Sequence, residues 1–240
     1  MKSITDFLII GLNNVLSIFG LTVLKKRSYG PYVIDIWDYN DEFEEIYDKI
    51  KGLAGVTKRS LYVIYQALHQ ISSLPGDIAE CGVYKGGSAY LIAEVINKLA
   101  PQKNIHLFDT FKGLPDINTR HDPALDKKNT FQDTSVENVK TLLGKFDNCV
   151  IKEGLFQETL KSITGKTFCF VHIDCDLYDS IMCACELLYP GLYTGGMMVF
   201  DDYGYTIDWP GAKRAVDEFF SDRKEKPIHL PTGQGVVIKL

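Results

Sequence analysis

The residues best suited to chemistry in this chain are aspartates at the ends of apolar runs. Asp174-Cys175-Asp176 closes one such run and the adjacent pair Asp201-Asp202 closes another. If the two runs are neighbouring strands, two or three carboxylates converge. Like charges in one cleft raise one another's pKa and resist joint ionisation, so a cation or a shared proton must compensate them. Oxygen donors without a nearby Cys and His set suit a hard divalent ion: Mg²⁺, with Mn²⁺ or Ca²⁺ as substitutes. The plainer alternative is that Asp176 and one of the pair cap the helices that follow. It stands beside the ligand role for Asp176, whereas Asp174, Asp201 and Asp202 as a set point to a cation.

A second constellation precedes these. Glu80-Cys81-Gly82-Val83-Tyr84-Lys85-Gly86-Gly87-Ser88 is a glycine-rich turn between a strand-like run and a helix-like run. Glycines let backbone approach a ligand, a helix N-terminus offers free N–H groups to an anion, and the Ser88 hydroxyl adds a donor. The spacing is not G-x-G-x-x-G, so a tight connection would explain the turn equally well. Asp109 closes the next apolar run, at about the offset where an acid accepts hydrogen bonds from a ribose diol. Turn and acid together suggest an adenosine-bearing cofactor. His172 shares a strand face with Asp174 and reads better as a core histidine. Tyr203 and Trp209 flank the second aspartate pair, as acceptor-pocket lining or as packing. His69, His106 and His229 carry no functional signal.

These residues need a scaffold that brings strand ends together. A helical pattern from Thr57 carries Leu61, Ile64, Tyr65, Leu68 and Ile71 at spacings of three and four and stops at Pro75-Gly76. Strand-like and helix-like runs then alternate to the end of the GAKRAVDEFF segment. Short buried strands separated by helices indicate a parallel sheet covered on both faces, with ligands beyond the strands' carboxyl ends. The last stretch, PIHLPTGQGVVIKL, is two strand-like runs around Gly233 and Gly235, a hairpin expected to add an antiparallel strand at the sheet edge. Residues 57–240 would form the α/β domain and residues 1–56 a helical extension. The long polar loop from Lys112 to Thr134, which holds His121, has the length of a lid.

Composition sets the outer limits. The chain has 240 residues, 45% hydrophobic and 24% charged, with a net charge of -5, which excludes disorder and gives no global attraction to nucleic acid. Its six cysteines form no C-x-x-C pair and sit mostly in apolar runs, so they read as buried thiols of a reducing, cytoplasmic protein. The segment from Phe7 to Leu24 is apolar but interrupted by Asn13-Asn14 and followed by Lys25-Lys26-Arg27. An amphipathic helix packed on the body or on a sister subunit is expected there. Residues 7–27 lying on a membrane surface is the alternative, with the basic trio against anionic lipid.

Six strings in order, DIAECGVYKGGSA, FDTFKGLPD, EGLFQETL, VHIDCDLYDS, GGMMVFDDYG and PGAKRAVDEFF, resemble the macrocin O-methyltransferase family, over about residues 57–240. That family consists of metal-dependent sugar O-methyltransferases of macrolide and aminocoumarin biosynthesis. The resemblance implies a class I methyltransferase (Rossmann-like) fold with a mainly parallel seven-stranded sheet, S-adenosylmethionine as donor, Mg²⁺, a sugar hydroxyl as acceptor, and homo-oligomers. By position it implies the cofactor's methionine end near Glu80, Gly82 and Ser88, its ribose on Asp109, and its adenine beside Gly154 and Leu155. It makes Asp174 both metal ligand and favoured general base, Asp201 and Asp202 the remaining protein ligands, and His121 a substrate contact or alternative base. Two other functions compete. A metal-dependent glycosyltransferase would use Asp174-x-Asp176 as its D-x-D, but leaves the glycine-rich turn, Asp109 and the Asp201-Asp202 pair without a role. A non-catalytic cofactor-binding module has no need of the acidic set. The acceptor-recognising segments are the least familiar, so a soluble sugar nucleotide, a glycosylated natural product and a lipid-linked glycan all stay open.

Overall fold

A computed structural model describes Trp37 and residues 40–122, 130–205 and 210–240. The apolar segment at residues 7–27, residues 123–129 of the long loop, and Trp209 lie outside the described residues. Residues Glu42–Leu240 form one compact unit. In chain order its elements are α1 (Asp41–Ile50), α2 (Lys58–Ile71), β1 (Asp77–Cys81), α3 (Gly87–Leu99), β2 (Ile105–Asp109), α4 (Val136–Leu143) and β3 (Cys149–Glu153). They continue with α5 (Phe156–Thr159), β4 (Phe168–Ile173), α6 (Tyr178–Leu188), β5 (Leu192–Phe200), α7 (Pro210–Phe219), β6 (Ile228–His229) and β7 (Gly235–Ile238).

The seven strands lie in the order β3-β2-β1-β4-β5-β7-β6. β3, β2, β1, β4 and β5 run parallel, while β7 pairs antiparallel with both β5 and β6. The chain builds outward from β1 to β3, then returns to the middle and builds the other way from β4. The reversal between β1 and β4 is where an open α/β sheet leaves a crevice for ligands. The antiparallel strand predicted from the last residues is present, one place in from the rim because the two-residue β6 caps it.

Burial explains why these runs are strands. Every residue of β4, Phe-Cys-Phe-Val-His-Ile, is buried, as a central strand covered on both faces requires. Phe168, Phe170 and Phe200 are fully enclosed, together with Phe220 just after α7. α2 starts at Thr57, whose side chain accepts from the Ser60 N–H, and buries Leu61, Ile64, Leu68 and Ile71 along one face. α1 is held to α2 by Phe43, packed edge-on against Tyr62 and Tyr65 at ring separations of 4.8 and 5.5 Å.

The six cysteines form no disulfide. Four are buried and two, Cys149 and Cys183, are half-buried. Burial pushes the Cys149 thiol up to about 12, so it behaves as an inert apolar group. Among the described residues no helix is long and apolar enough to cross a membrane.

Candidate active site

The carboxyl ends of β1 and β4 meet at Gly82. Its φ is +91°, and a Cβ there would lie 1.7 Å from the carbonyl oxygen of Asp174, so only glycine lets the two chains pass. The Asp174 N–H donates to the Cys81 carbonyl at 2.8 Å and seals the junction. Beyond it the turn is wrapped around Asp109 at the end of β2. Asp109 Oδ2 accepts from the N–H groups of Val83 and Tyr84 at 2.7 and 2.8 Å, and Oδ1 accepts from Phe111 at 2.7 Å. One carboxylate thus shapes two loops, including Tyr84 and Phe111 at the positive φ values of 51° and 52°.

At the ends of β4 and β5 the expected acids converge. One carboxylate oxygen from each of Asp174, Asp201 and Asp202 lies within 4.8 Å of the others. Oxygens on opposite sides of one Mg²⁺ are about 4.2 Å apart and those on Ca²⁺ about 5 Å, so the donor set has the size of a single hard-cation site. Asp201 and Asp202 are buried in a short 3-10 turn, Asp201–Gly204, while Asp174 is half-buried. Burial, then the charges of Asp201 and Asp202, hold the Asp174 carboxyl well above the usual range. Burial also raises Asp201, against the opposing influence of His172 and a hydrogen bond from Gln234. Carboxylates this close carry protons unless a cation replaces them. Asp176 is at a positive φ of 61° and its N–H donates to Asp202 Oδ2 at 3.0 Å, so its backbone serves to orient Asp202.

Both constellations open into one cavity of about 730 Å³. Of the residues singled out in the sequence, Gly82, Tyr84, Asp109, Leu155, Asp174, Asp176, Asp201 and Asp202 line it. The loop from Gly113 to Asp122 forms a wall, and Gly55, Val56 and Thr57 close another side. Four expected residues stand behind the lining. Glu80 is fully buried and its Oε1 pairs with Nδ1 of the equally buried His172 at 2.8 Å. Ser88 is buried in the first turn of α3. Gly154 is a bend at φ +139°, its N–H donating to the Asp109 carbonyl at 2.9 Å, and it delivers Leu155 to the cavity. His121 lies against Tyr178, the rings 4.1 Å apart and tilted by 41°, with Nδ1 buried and unpartnered, beside the lining residue Asp122.

Tyr203 does not line the cavity; it is buried and donates to Asp217 Oδ1 at 2.7 Å, which makes it a packing residue. His172 is a core histidine, although its Nε2 is left without a partner. The sequence pattern did not reveal three contributors: Asp122, Phe131 and Gln234. Asp122 accepts from the Tyr178 N–H at 3.0 Å at the start of α6, and burial raises its carboxyl pKa. Tyr84 and Phe131 meet edge-on at 5.2 Å over the cavity. Gln234 holds Asp201 from the β6–β7 turn. Only the antiparallel register of the hairpin could have signalled Gln234, and nothing in the spacing marks the others.

Comparison with known proteins follows the same lines. The demethyldecarbamoylnovobiocin O-methyltransferase of Streptomyces niveus is 28% identical over 158 residues, which cover 62% of this chain and 59% of that protein. The 8-demethyl-8-(2,3-dimethoxy-alpha-L-rhamnosyl)-tetracenomycin-C 4'-O-methyltransferase of Streptomyces olivaceus is 27% identical over 140 residues, covering 54% of each. The chain therefore spans less than two-thirds of the length of these curated relatives. Among solved structures, the O-methyltransferase NovP superposes with a TM-score of 0.69 at 26% identity, over 78% of this chain and 82% of that one. Residues 51–236 match the Macrocin-O-methyltransferase (TylF) family model, most of the described chain, and the chain belongs to that family.

Proposed function

We propose that this protein transfers a methyl group from S-adenosylmethionine to a hydroxyl of a sugar or sugar-bearing acceptor, with a divalent cation, Mg²⁺ by preference, on Asp174, Asp201 and Asp202. The observation that carries this is the opening of the Gly82 turn and the acidic triad into a single cavity at the sheet's switch point. Family membership and the sugar-modifying names of its relatives supply the acceptor class. When bound, the sulfonium cofactor supplies an electrophilic methyl group and the cation supplies the positive charge that makes a weakly acidic hydroxyl easier to deprotonate.

The chain's own residues have distinct tasks in this scheme. Gly82 lets the end of β1 pass against the Asp174 carbonyl, which sets the cofactor turn beside the acidic residues. Asp109 uses three of the roughly four lone-pair sites of a carboxylate on its own loops, which leaves one for a ribose hydroxyl. Leu155 gives the adenine an apolar surface; Glu80 and Ser88 act from behind by stiffening β1 and the first turn of α3. Asp174, half-buried and facing the cavity, takes the acceptor's proton as the general base, and His121 is the alternative base. Fixing nucleophile and methyl in line supplies much of the remaining rate. The glycosyltransferase alternative, built on Asp174-x-Asp176, assigns no part to the Gly82 turn or to Asp201.

The deciding experiment pairs calorimetry with turnover. The wild-type chain should bind S-adenosylhomocysteine and methylate a sugar acceptor, and EDTA should stop the transfer. Asp174→Asn should lower kcat by at least about 100-fold, the lower end for loss of a general base, with cofactor affinity unchanged. Tight binding of a nucleotide sugar with no binding of the sulfonium cofactor would overturn the proposal.

A further inference from the structure

The hairpin at the end of the chain does more than close the sheet edge. β7 pairs antiparallel with β5 so that Phe200 lies opposite Gly235, and the next residues along the two chains, Asp201 and Gln234, come to face each other. Gln234 is fully buried. Its Nε2 donates to Asp201 Oδ1 at 2.8 Å and to the Ser60 carbonyl at 3.3 Å. Its Oε1 accepts from Thr232 Oγ1 at 3.0 Å. Only the NH₂ end of the amide can donate to both oxygens, so these contacts fix its orientation. The turn is tied to the aspartates again by the Gly204 N–H, which donates to the Gly233 carbonyl at 2.6 Å.

We propose that Gln234 is a positioning residue for the cation: it holds Asp201 Oδ1 from behind and leaves Oδ2 as the oxygen presented to the ion. The inference rests on the assignment of Asp174, Asp201 and Asp202 as the cation site. A buried donor on one carboxylate oxygen stops the group from rotating and selects the remaining lone pairs for a ligand, which is how partners behind a ligand set affinity. Thr232 extends the relay by holding the far end of the amide. A residue used only for packing would contribute to folding without distinguishing cation from cofactor.

The test uses the full chain stripped with EDTA and titrated with Mn²⁺, free ion being followed by electron paramagnetic resonance. S-adenosylhomocysteine affinity is measured separately by calorimetry. Gln234→Met keeps the length and removes both polar atoms. It should weaken Mn²⁺ binding by about tenfold or more while cofactor affinity stays within about twofold. Thr232→Val, a milder change at a half-buried site, should give a smaller loss of the same kind and decides the matter if Gln234→Met does not fold. Mn²⁺ affinity equal to wild type in the folded variants overturns the role of Gln234 alone. A wild-type chain that binds no Mn²⁺ overturns the cation site and the role of Gln234 together. Equal weakening of cation and cofactor in Thr232→Val also overturns the proposal, because it would make the relay general support for the fold.

Discussion

Asp109 is the residue at which position and role separate most clearly. Its place at the end of β2 follows from the sequence, since an acid closing a buried strand is easy to see. Its engagement with three backbone N–H groups does not, because that depends on the unusual φ of Tyr84 and Phe111. Asp109→Asn turns one acceptor oxygen into a donor facing N–H groups. The loss should cost about 1–3 kcal/mol of stability and weaken S-adenosylhomocysteine binding, read from urea unfolding and calorimetry. Cofactor affinity equal to wild type would show that the turn does not depend on the carboxylate. The acids Asp174, Asp201 and Asp202 were legible for the same reason as Asp109, as strand-ending residues. Gln234, Asp122 and Phe131 were not, since each reaches the site through a turn or loop whose path no periodicity describes.

Among the elements, the buried strands were the easiest to read, because a strand covered on both faces has to be apolar almost throughout. The buried Glu80–His172 pair is one exception; the amino ends of the central strands carry another, with a testable pH dependence. Asp77 at the start of β1 receives hydrogen bonds from the Asn104 N–H, at 3.1 Å, and from the buried His106 ring of β2, at 2.9 Å. Burial alone would raise its pKa, but His106 and Asn104 outweigh it and the carboxyl lies below its ordinary value. A depressed folded pKa means that the stabilisation is fully present above the unfolded value near 3.9 and is lost as pH falls through the folded pKa. Asp77→Asn should therefore cost about 1 kcal/mol at pH 7 and flatten the acid limb of the stability profile below about pH 4. Denaturant midpoints from pH 2.5 to 7 measure this. A variant whose loss is the same at every pH would mean that the pair stabilises by packing, with no part for the charge.

For the whole molecule, the net charge of -5 takes on a specific meaning once part of it is found gathered at the ends of β4 and β5. A fold that collects three carboxylates within 4.8 Å carries a repulsion that the unfolded chain escapes. Cation binding should thus act as a global stabiliser, because the site exists only in the folded chain. Saturating at 100 times the dissociation constant adds about 2.7 kcal/mol, enough for a shift of several degrees in Tm at this size. The ligands must be deprotonated to bind, and burial raises Asp201 while burial and the charges of its acidic neighbours raise Asp174, so protons compete with the ion as pH falls. The shift produced by millimolar Mg²⁺ or Mn²⁺ in EDTA-treated protein should therefore be larger at pH 8 than at pH 5.5. It should disappear in Asp201→Asn combined with Asp202→Asn, while the shift produced by S-adenosylhomocysteine persists. A cation shift of equal size at both pH values would place the ion elsewhere on the acidic surface and detach the triad from the stability of the fold.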